Sequence, residues 1–264
     1  MSAGQRLDKE LVLRGILSGR EAAKEQIEAG NVKVNGKVCK KPSTAVKESD
    51  VITCDAVIRF VSRGGEKLAA AFEAFSIDVK DRICIDIGAS TGGFTDCMLQ
   101  NGAAYVYAVD VGTDQLVDVL RNDARVCCME QTNIRYLEEE RLTKGKPHFA
   151  ASDVSFISLK HVLPQIYRLC DENAQAVCLI KPQFEAGKEH LNKHGVVTDQ
   201  KVRLRVCEEI KAFSIELGFE VLGLVTSPVL GPEGNVEFLI WLKKGGAGIE
   251  TNLRLSDHAD PEYG

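Results

Sequence analysis

Four charged side chains stand where strands meet loops. They are Lys67 after Arg63-Gly64-Gly65-Glu66, Asp153 in Ser152-Asp153-Val154-Ser155-Phe156, Lys181 in Leu179-Ile180-Lys181-Pro182-Gln183-Phe184-Glu185, and Glu237 in Gly234-Asn235-Val236-Glu237-Phe238. Amines and carboxylates are groups that move or hold protons. A lysine closing an otherwise apolar strand is costly to bury unless an anion meets it, and Asp153 and Glu237 are the candidate partners for Lys181. Such a set suits taking a proton from a weakly acidic hydroxyl. An amine of ordinary pKa ~10.4 is neutral about once in two thousand molecules at pH 7, a penalty of roughly 4–5 kcal/mol. A second cation or partial desolvation reduces that penalty. Lys181 is therefore expected to accept the proton beside the cation Lys67, while Asp153 and Glu237 orient the amines and the hydroxyl. A structural salt-bridge cluster would use the same residue types, and spacing leaves it open.

A second feature is Ile85-Asp86-Ile87-Gly88-Ala89-Ser90-Thr91-Gly92-Gly93-Phe94, at the end of an apolar run and the start of a helical pattern. Open α/β sheets bind ligands at that junction. A pyrophosphate-binding turn needs G-x-G-x-x-G, whereas here a single Gly88 is followed by Ala89 and Ser90. Asp110 follows Gly88 by 22 residues and ends the next apolar run, where a carboxylate meets ribose hydroxyls. Glycines in a tight turn and a helix-capping Asp are the ordinary alternatives. Together these residues suit a ribose-bearing cofactor without phosphate, S-adenosylmethionine. Expected at its site are Asp86, Gly88, Ser90, Thr91, Gly92, Gly93, Phe94 and Asp110. A sulfonium is a good methyl donor and a ribose hydroxyl a poor nucleophile, so catalysis must align the two and remove a proton.

These groups need a sheet to place them. Arg82–Ile87, Tyr105–Val109, Arg125–Met129, His148–Asp153 and Ala174–Ile180 are short runs rich in Val, Ile, Ala and Cys, separated by helix-length segments. That alternation predicts a doubly wound α/β sheet. Phe219–Thr226 and Asn235–Lys243 follow a helical stretch over Asp199–Leu217. Their short Pro/Gly connection predicts an antiparallel pair, with Phe238 and Trp241 in the core. Asp153 and Lys181 then lie on one rim with Gly88. Lys188, Lys193 and Arg203 are expected near that rim, as candidates for contacting phosphates.

Residues 1–59 read as a separate small α+β unit. Leu7, Leu11 and Leu13 suggest a short helix, Ser18-Gly19-Arg20-Glu21 a capping box opening a second, and Gly30 its end. Val32 and Val34 lead into Asn35-Gly36, a hairpin turn, and Asp50–Cys54 adds a strand. Arg6, Arg14, Arg20, Lys24, Lys33, Lys37, Lys40 and Lys41 could form a basic face for phosphates, although Glu21, Glu25 and Glu28 interleave on the second helix. Arg6-Leu7-Asp8, Gly15, Ser18-Gly19-Arg20, Ala22-Ala23, Val34-Asn35-Gly36 and Lys41-Pro42 resemble the S4-like RNA-binding domain over residues 4–55.

The Lys67, Asp153, Lys181, Glu237 series, with its surrounding segments and the Gly-rich turn, resembles the FtsJ-like ribose 2′-O-methyltransferases, over 60–245. Joined to an S4-like domain, it is similar to the TlyA subfamily of ribosomal RNA methyltransferases. The resemblance implies methylation of a cytidine 2′-hydroxyl in ribosomal RNA of both subunits, with S-adenosylmethionine as cofactor and ribosomal RNA or subunits as partners. Many members carry a haemolysin label, for which the residues give no physical support.

Composition agrees. Residues 1–80 hold 14 Lys/Arg against 11 Asp/Glu, whereas the rest hold 19 against 27, so the basic end is N-terminal despite a net charge of −5. Nine scattered cysteines without a C-x-x-C pair read as reduced core thiols. Apolar runs such as Ala174–Ile180 fall short of the ~20 residues that cross a bilayer, and no leader segment opens the chain, so a cytoplasmic enzyme without a membrane partner is expected. His190 and His194 lack an H-E-x-x-H context, and no metal is expected. Residues 246–264 read as a flexible tail. A non-catalytic RNA-binding protein and, more remotely, a membrane-lytic protein are the competing readings.

Overall fold

The computed structural model describes residues 4–17, 19–55 and 59–245. Ser18 of the expected capping box and the expected tail 246–264 lie outside the described residues. The N-terminal unit contains β1 (Gln5–Arg6), α1 (Leu7–Leu13), α2 (Arg20–Glu28), β2 (Val32–Val34), β3 (Lys37–Val38), β4 (Ala45–Val46) and β5 (Ile52–Cys54). Leu7 and Leu11, four apart, bury one face of α1 against Ala23 and Ile27 of α2. Leu13, the last residue of the helix, is two residues past that stripe and is exposed. Asn35 and Gly36 both take positive φ, 50° and 78°, as the tight turn between β2 and β3 requires.

The larger unit begins with α3 (Gly64–Phe75) and continues β6 (Ile83–Ile87), α4 (Gly93–Gln100), β7 (Tyr105–Val109), α5 (Asp118–Arg121), β8 (Val126–Met129), β9 (Phe149–Ser152), α6 (Leu163–Leu169) and β10 (Gln175–Ile180). It ends with α7 (Pro182–Glu185), α8 (Gln200–Glu216), β11 (Phe219–Thr226) and β12 (Phe238–Lys244). The seven strands lie in the order β11-β12-β10-β9-β6-β7-β8. β8, β7, β6, β9 and β10 are parallel, while β12 is antiparallel to both of its neighbours. The chain leaves β6 toward β8 and returns to β9 on the other side. The junction between β6 and β9 is thus the switch point where such sheets open a crevice.

Both sheet faces are covered, which is why the parallel strands are apolar throughout. Leu68, Phe72, Cys97 and Met98 of α3 and α4 pack on one face, and Ile166, Cys207 and Ile210 of α6 and α8 on the other. Trp241 is half-buried against the core, stacks on Phe75 at 5.3 Å and donates through Nε1 to Gln175 Oε1, 3.3 Å away. All nine cysteines are free, and burial pushes the Cys84 and Cys97 thiols up to about 12. The last strand starts at Phe238 rather than Asn235, because Gly231 N–H donates to Asn235 O at 2.8 Å and closes a turn there.

Candidate active site

The sheet delivers the four charged residues to one rim by different routes. Asp153 follows the carboxyl end of β9, and Lys181 follows that of β10 as the N-cap of α7. Glu237 immediately precedes β12, and because that strand runs backwards its beginning meets the carboxyl ends of the others. Lys67 descends from the first turn of α3. That helix can approach because Gly65 and Gly93 lack side chains. A Cβ on Gly93 would lie 2.8 Å from Gly65 N, and one on Gly65 would lie 2.3 Å from the Phe60 ring.

The charges alternate along a chain of contacts. Lys181 Nζ lies 2.6 Å from Asp153 Oδ1, Lys67 Nζ 3.5 Å from Asp153 Oδ2, and Lys67 Nζ donates to Glu237 Oε2 at 2.7 Å. Gln183 Nε2 donates to Glu237 Oε1 at 3.1 Å, and Lys181 Nζ donates to Ser155 Oγ at 2.9 Å. The Lys181–Asp153 approach is an ion contact without hydrogen-bond angles, so the directed bond of Lys181 is the one to Ser155. Lys67, Lys181 and Glu237 are buried, whereas Asp153 retains 19% side-chain exposure toward the cleft. Two cations and two carboxylates balance, which is what burial of four charges requires.

Beside them opens a cleft of about 260 Å³, walled by Gly88, Ala89, Ser90, Thr91, Gly93 and Phe94 as well as Lys67, Asp153, Ser155 and Lys181. Gly88 has φ +84°, and a Cβ there would sit 2.7 Å from Asp153 O, so the bare backbone lets the β6 and β9 ends close together. Three residues expected on this wall stand behind it. Asp86 is fully buried below the turn, where Thr95 Oγ1 donates to its Oδ2 at 2.7 Å. Burial pushes its carboxyl up to about 7 against that hydrogen bond. Gly92 faces away, its missing Cβ leaving room for Leu116 and Leu120. Asp110 accepts Ser90 N–H at 2.8 Å and Gly112 N–H at 2.7 Å, so it clasps the turn from outside.

The basic face of the N-terminal unit is partly consumed. Arg6 forms a forked pair with buried Asp8, 2.9 Å on each arm, and Arg20 Nη2 reaches the same carboxylate at 3.5 Å. The hydrogen bond from Arg6, more than the contact with Arg20, holds the Asp8 carboxyl down at about 2. Both guanidinium groups remain largely exposed. Arg14 is different. It donates to the carbonyls of Asp50, Lys47 and Glu48 at 2.6–3.0 Å and pairs with Glu10, so it ties loops together rather than facing a partner. Lys33 pairs with Asp55 at 2.6 Å, Lys24 is half-buried, and Lys37, Lys40 and Lys41 are exposed. Arg63 Nε reaches across to Glu25 Oε1 of α2 at 3.0 Å, and both line the cleft mouth. Lys188 and Lys193 are exposed, whereas Arg203 is half-buried with Nη2 on Thr198 O at 3.4 Å. His190 and His194 share no helix, because the short turn ends at His190.

Residues 60–244 match the FtsJ-like methyltransferase family, and residues 5–52 match the S4 domain. The chain belongs to the FtsJ-like methyltransferases. It is 48% identical to YqxC of Bacillus subtilis over 250 residues, covering 94% of this chain and 89% of that protein. It is 44% identical to the 16S/23S rRNA (cytidine-2′-O)-methyltransferase TlyA of Mycobacterium tuberculosis over 245 residues, 92% and 91% of the two chains. A solved structure from Streptococcus thermophilus that carries the haemolysin name superposes with a TM-score of 0.76 at 46% identity, covering 93% of this chain and 90% of that one. No helix among the described residues is long and apolar enough to cross a membrane.

Several residues of this FtsJ-like site escaped the sequence reading. Glu130 follows β8 and accepts the N–H groups of Asp114, Gln115 and Leu116 at 2.8–2.9 Å and Arg121 Nη2 at 2.8 Å, which fixes the loop behind Gly92. Glu185 accepts Ser158 Oγ at 2.6 Å and Leu159 N–H at 2.8 Å, and burial holds its carboxyl above the usual range. Phe156 is 89% exposed with φ +62°, its ring 5.1 Å from that of Phe184. An exposed aromatic in a left-handed conformation is rare enough to mark a site. Ser155, Phe156, Gln183 and Glu185 lie within four residues of Asp153 or Lys181, which is the one signal that could have found them.

Proposed function

We propose that this chain transfers a methyl group from S-adenosylmethionine to a ribose 2′-hydroxyl of ribosomal RNA. The observation that carries the reading is the buried series Lys181, Asp153, Lys67, Glu237 opening onto a cleft lined by glycine backbone. The residues present fit the cofactor. Gly88 and Gly93 put bare backbone on the cleft wall, and each Asp110 oxygen, already accepting one N–H, keeps a lone pair for a ribose hydroxyl. Ser90, Thr91 and Phe94 complete that wall, while Asp86 and Gly92 support it from beneath. Bound there, S-adenosylmethionine supplies an electrophilic methyl group on a cationic sulfur.

The chain's own residues supply alignment and a proton sink. With Lys181 neutral, the cluster holds two carboxylates against one ammonium. Taking the hydroxyl proton on Lys181 Nζ restores the balance, which favours the transfer. Asp153 is shared between Lys181 and Lys67, so it stays paired whichever state Lys181 is in. Glu237, held in turn by Gln183, anchors Lys67 from behind. Phe156, which follows Ser155 of the cleft wall, offers an exposed ring on which a base can stack.

The S4 domain would dock the RNA through Arg6, Arg20, Lys37, Lys40 and Lys41, with Lys188 and Lys193 near the rim. TlyA of Mycobacterium tuberculosis is named for cytidine in 16S and 23S rRNA, and we assign the same target class to this chain, acting in the cytoplasm where rRNA is assembled. Lys181→Ala is expected to abolish methyl transfer to ribosomal subunits, at least a hundredfold, while calorimetry shows S-adenosylmethionine still bound. Near-normal turnover of that variant would remove the proposed acceptor.

A further inference from the structure

We infer that Ser155 is a positioning residue that aims the lone pair of Lys181 into the cleft, an inference that rests on the reading of Lys181 as proton acceptor. A neutral amine has two N–H donors and one lone pair, and its lone pair points wherever its two hydrogens do not. Lys181 Nζ has two acceptors within reach, Ser155 Oγ at 2.9 Å and Asp153 Oδ1 at 2.6 Å. The Phe184 ring, with its centroid 5.9 Å from Nζ, stands on a further side. With one hydrogen bonded to Ser155 Oγ and the second drawn toward the Asp153 carboxylate by charge alone, the remaining direction belongs to the lone pair. Without Ser155 the amine is held by Asp153 alone and can rotate about its Cε–Nζ bond.

Ser155 can do this because its turn is pinned at both ends. Upstream, Asp153 N–H donates to Ile87 O at 3.1 Å. Downstream, Ser158 Oγ and Leu159 N–H both donate to Glu185. Glu185 lies on α7, the helix that Lys181 caps, so one short segment fixes both the amine and the loop carrying its hydroxyl partner. The left-handed Phe156 between these anchors turns the chain so that Ser155 faces the amine and stays on the cleft wall.

The test is steady-state methylation of ribosomal subunits by the full-length protein, with cofactor affinity measured by calorimetry. Ser155→Ala is expected to lower kcat about 10- to 100-fold, the scale of a misplaced reacting group, with KM for RNA and Kd for S-adenosylmethionine within about twofold. Ser155→Thr keeps the hydroxyl and is expected to return kcat to within about threefold of the parent. The inference is overturned if Ser155→Ala keeps its kcat, if its defect lies in KM or Kd, or if Ser155→Thr is as slow as Ser155→Ala. An active Lys181→Ala defeats the acceptor reading itself, whereas an inactive Lys181→Ala beside a fully active Ser155→Ala defeats this inference alone.

Discussion

Glu237→Gln probes the innermost pair of the charged series. Lys67 Nζ is 2.7 Å from Glu237 Oε2 and 3.5 Å from Asp153 Oδ2, and Glu237 has no solvent exposure. At an effective dielectric constant of about 20, the two attractions are about 6 and about 5 kcal/mol before desolvation is counted. Removing one partner of a buried pair costs about 3–5 kcal/mol, and because Asp153 stays beside Lys67 the lower figure, about 3 kcal/mol, applies here. The replacing amide has one acceptor oxygen for two donors, Lys67 and Gln183, so one contact becomes donor against donor. For a chain of this size, about 3 kcal/mol lowers Tm by roughly 6–12 °C. Combining Glu237→Gln with Lys67→Met removes the stranded charge as well, so the double variant is expected to be no less stable than Glu237→Gln alone, a coupling of about 2 kcal/mol. Thermal and urea unfolding of the four proteins checks this. Additive losses with a coupling under about 0.5 kcal/mol would refute the claim that these groups form one buried unit.

Two further outcomes are expected. The Glu130 carboxyl is lowered to about 2, because burial, which pushes it up, is outweighed by the N–H groups of Leu116, Gln115 and Asp114 and by Arg121. A depressed carboxyl adds stability above its unfolded value, about 4.5, and that stability is lost as pH falls through 4.5 toward 2. Glu130→Gln should therefore be less stable than the parent at pH 7 by about 2–3 kcal/mol, a gap that halves or better at pH 3; a gap in urea unfolding that does not narrow on acidification contradicts the assignment. Phe156→Ala should leave Tm unchanged, since the ring is 89% exposed, yet weaken RNA engagement by about 1–3 kcal/mol in KM or binding. An unaltered KM and kcat would exclude the ring from substrate contact.

Much of the architecture is legible in local pattern, because apolar runs of strand length and turn residues record which segments are buried and where the chain reverses. Tyr105–Val109 and Phe219–Thr226 coincide with their expected runs, the others shift by one to three residues at an end, and Asn35-Gly36 makes the expected turn. Asp153, Lys181 and Glu237 were recognisable by type and by their place at strand ends, whereas Lys67, expected where a strand meets a loop, lies in the first turn of a helix. Their meeting is a tertiary result. Glu237 reaches the rim only because β12 runs against β10, and Lys67 only because the bare Gly93 lets α4 touch the start of α3. Other side chains have partners that no motif announces. Arg14 is spent on carbonyls more than thirty residues away, Asp86 is held by Thr95, and Asp110 holds the Ser90 amide. Ser155 and Glu185 acquire roles only from residues 26 and 27 positions distant. Periodicity and residue type decide which side chains are buried and which could react, since both depend on neighbours in sequence. Which donor meets which acceptor depends on strand order and register, which no local window contains.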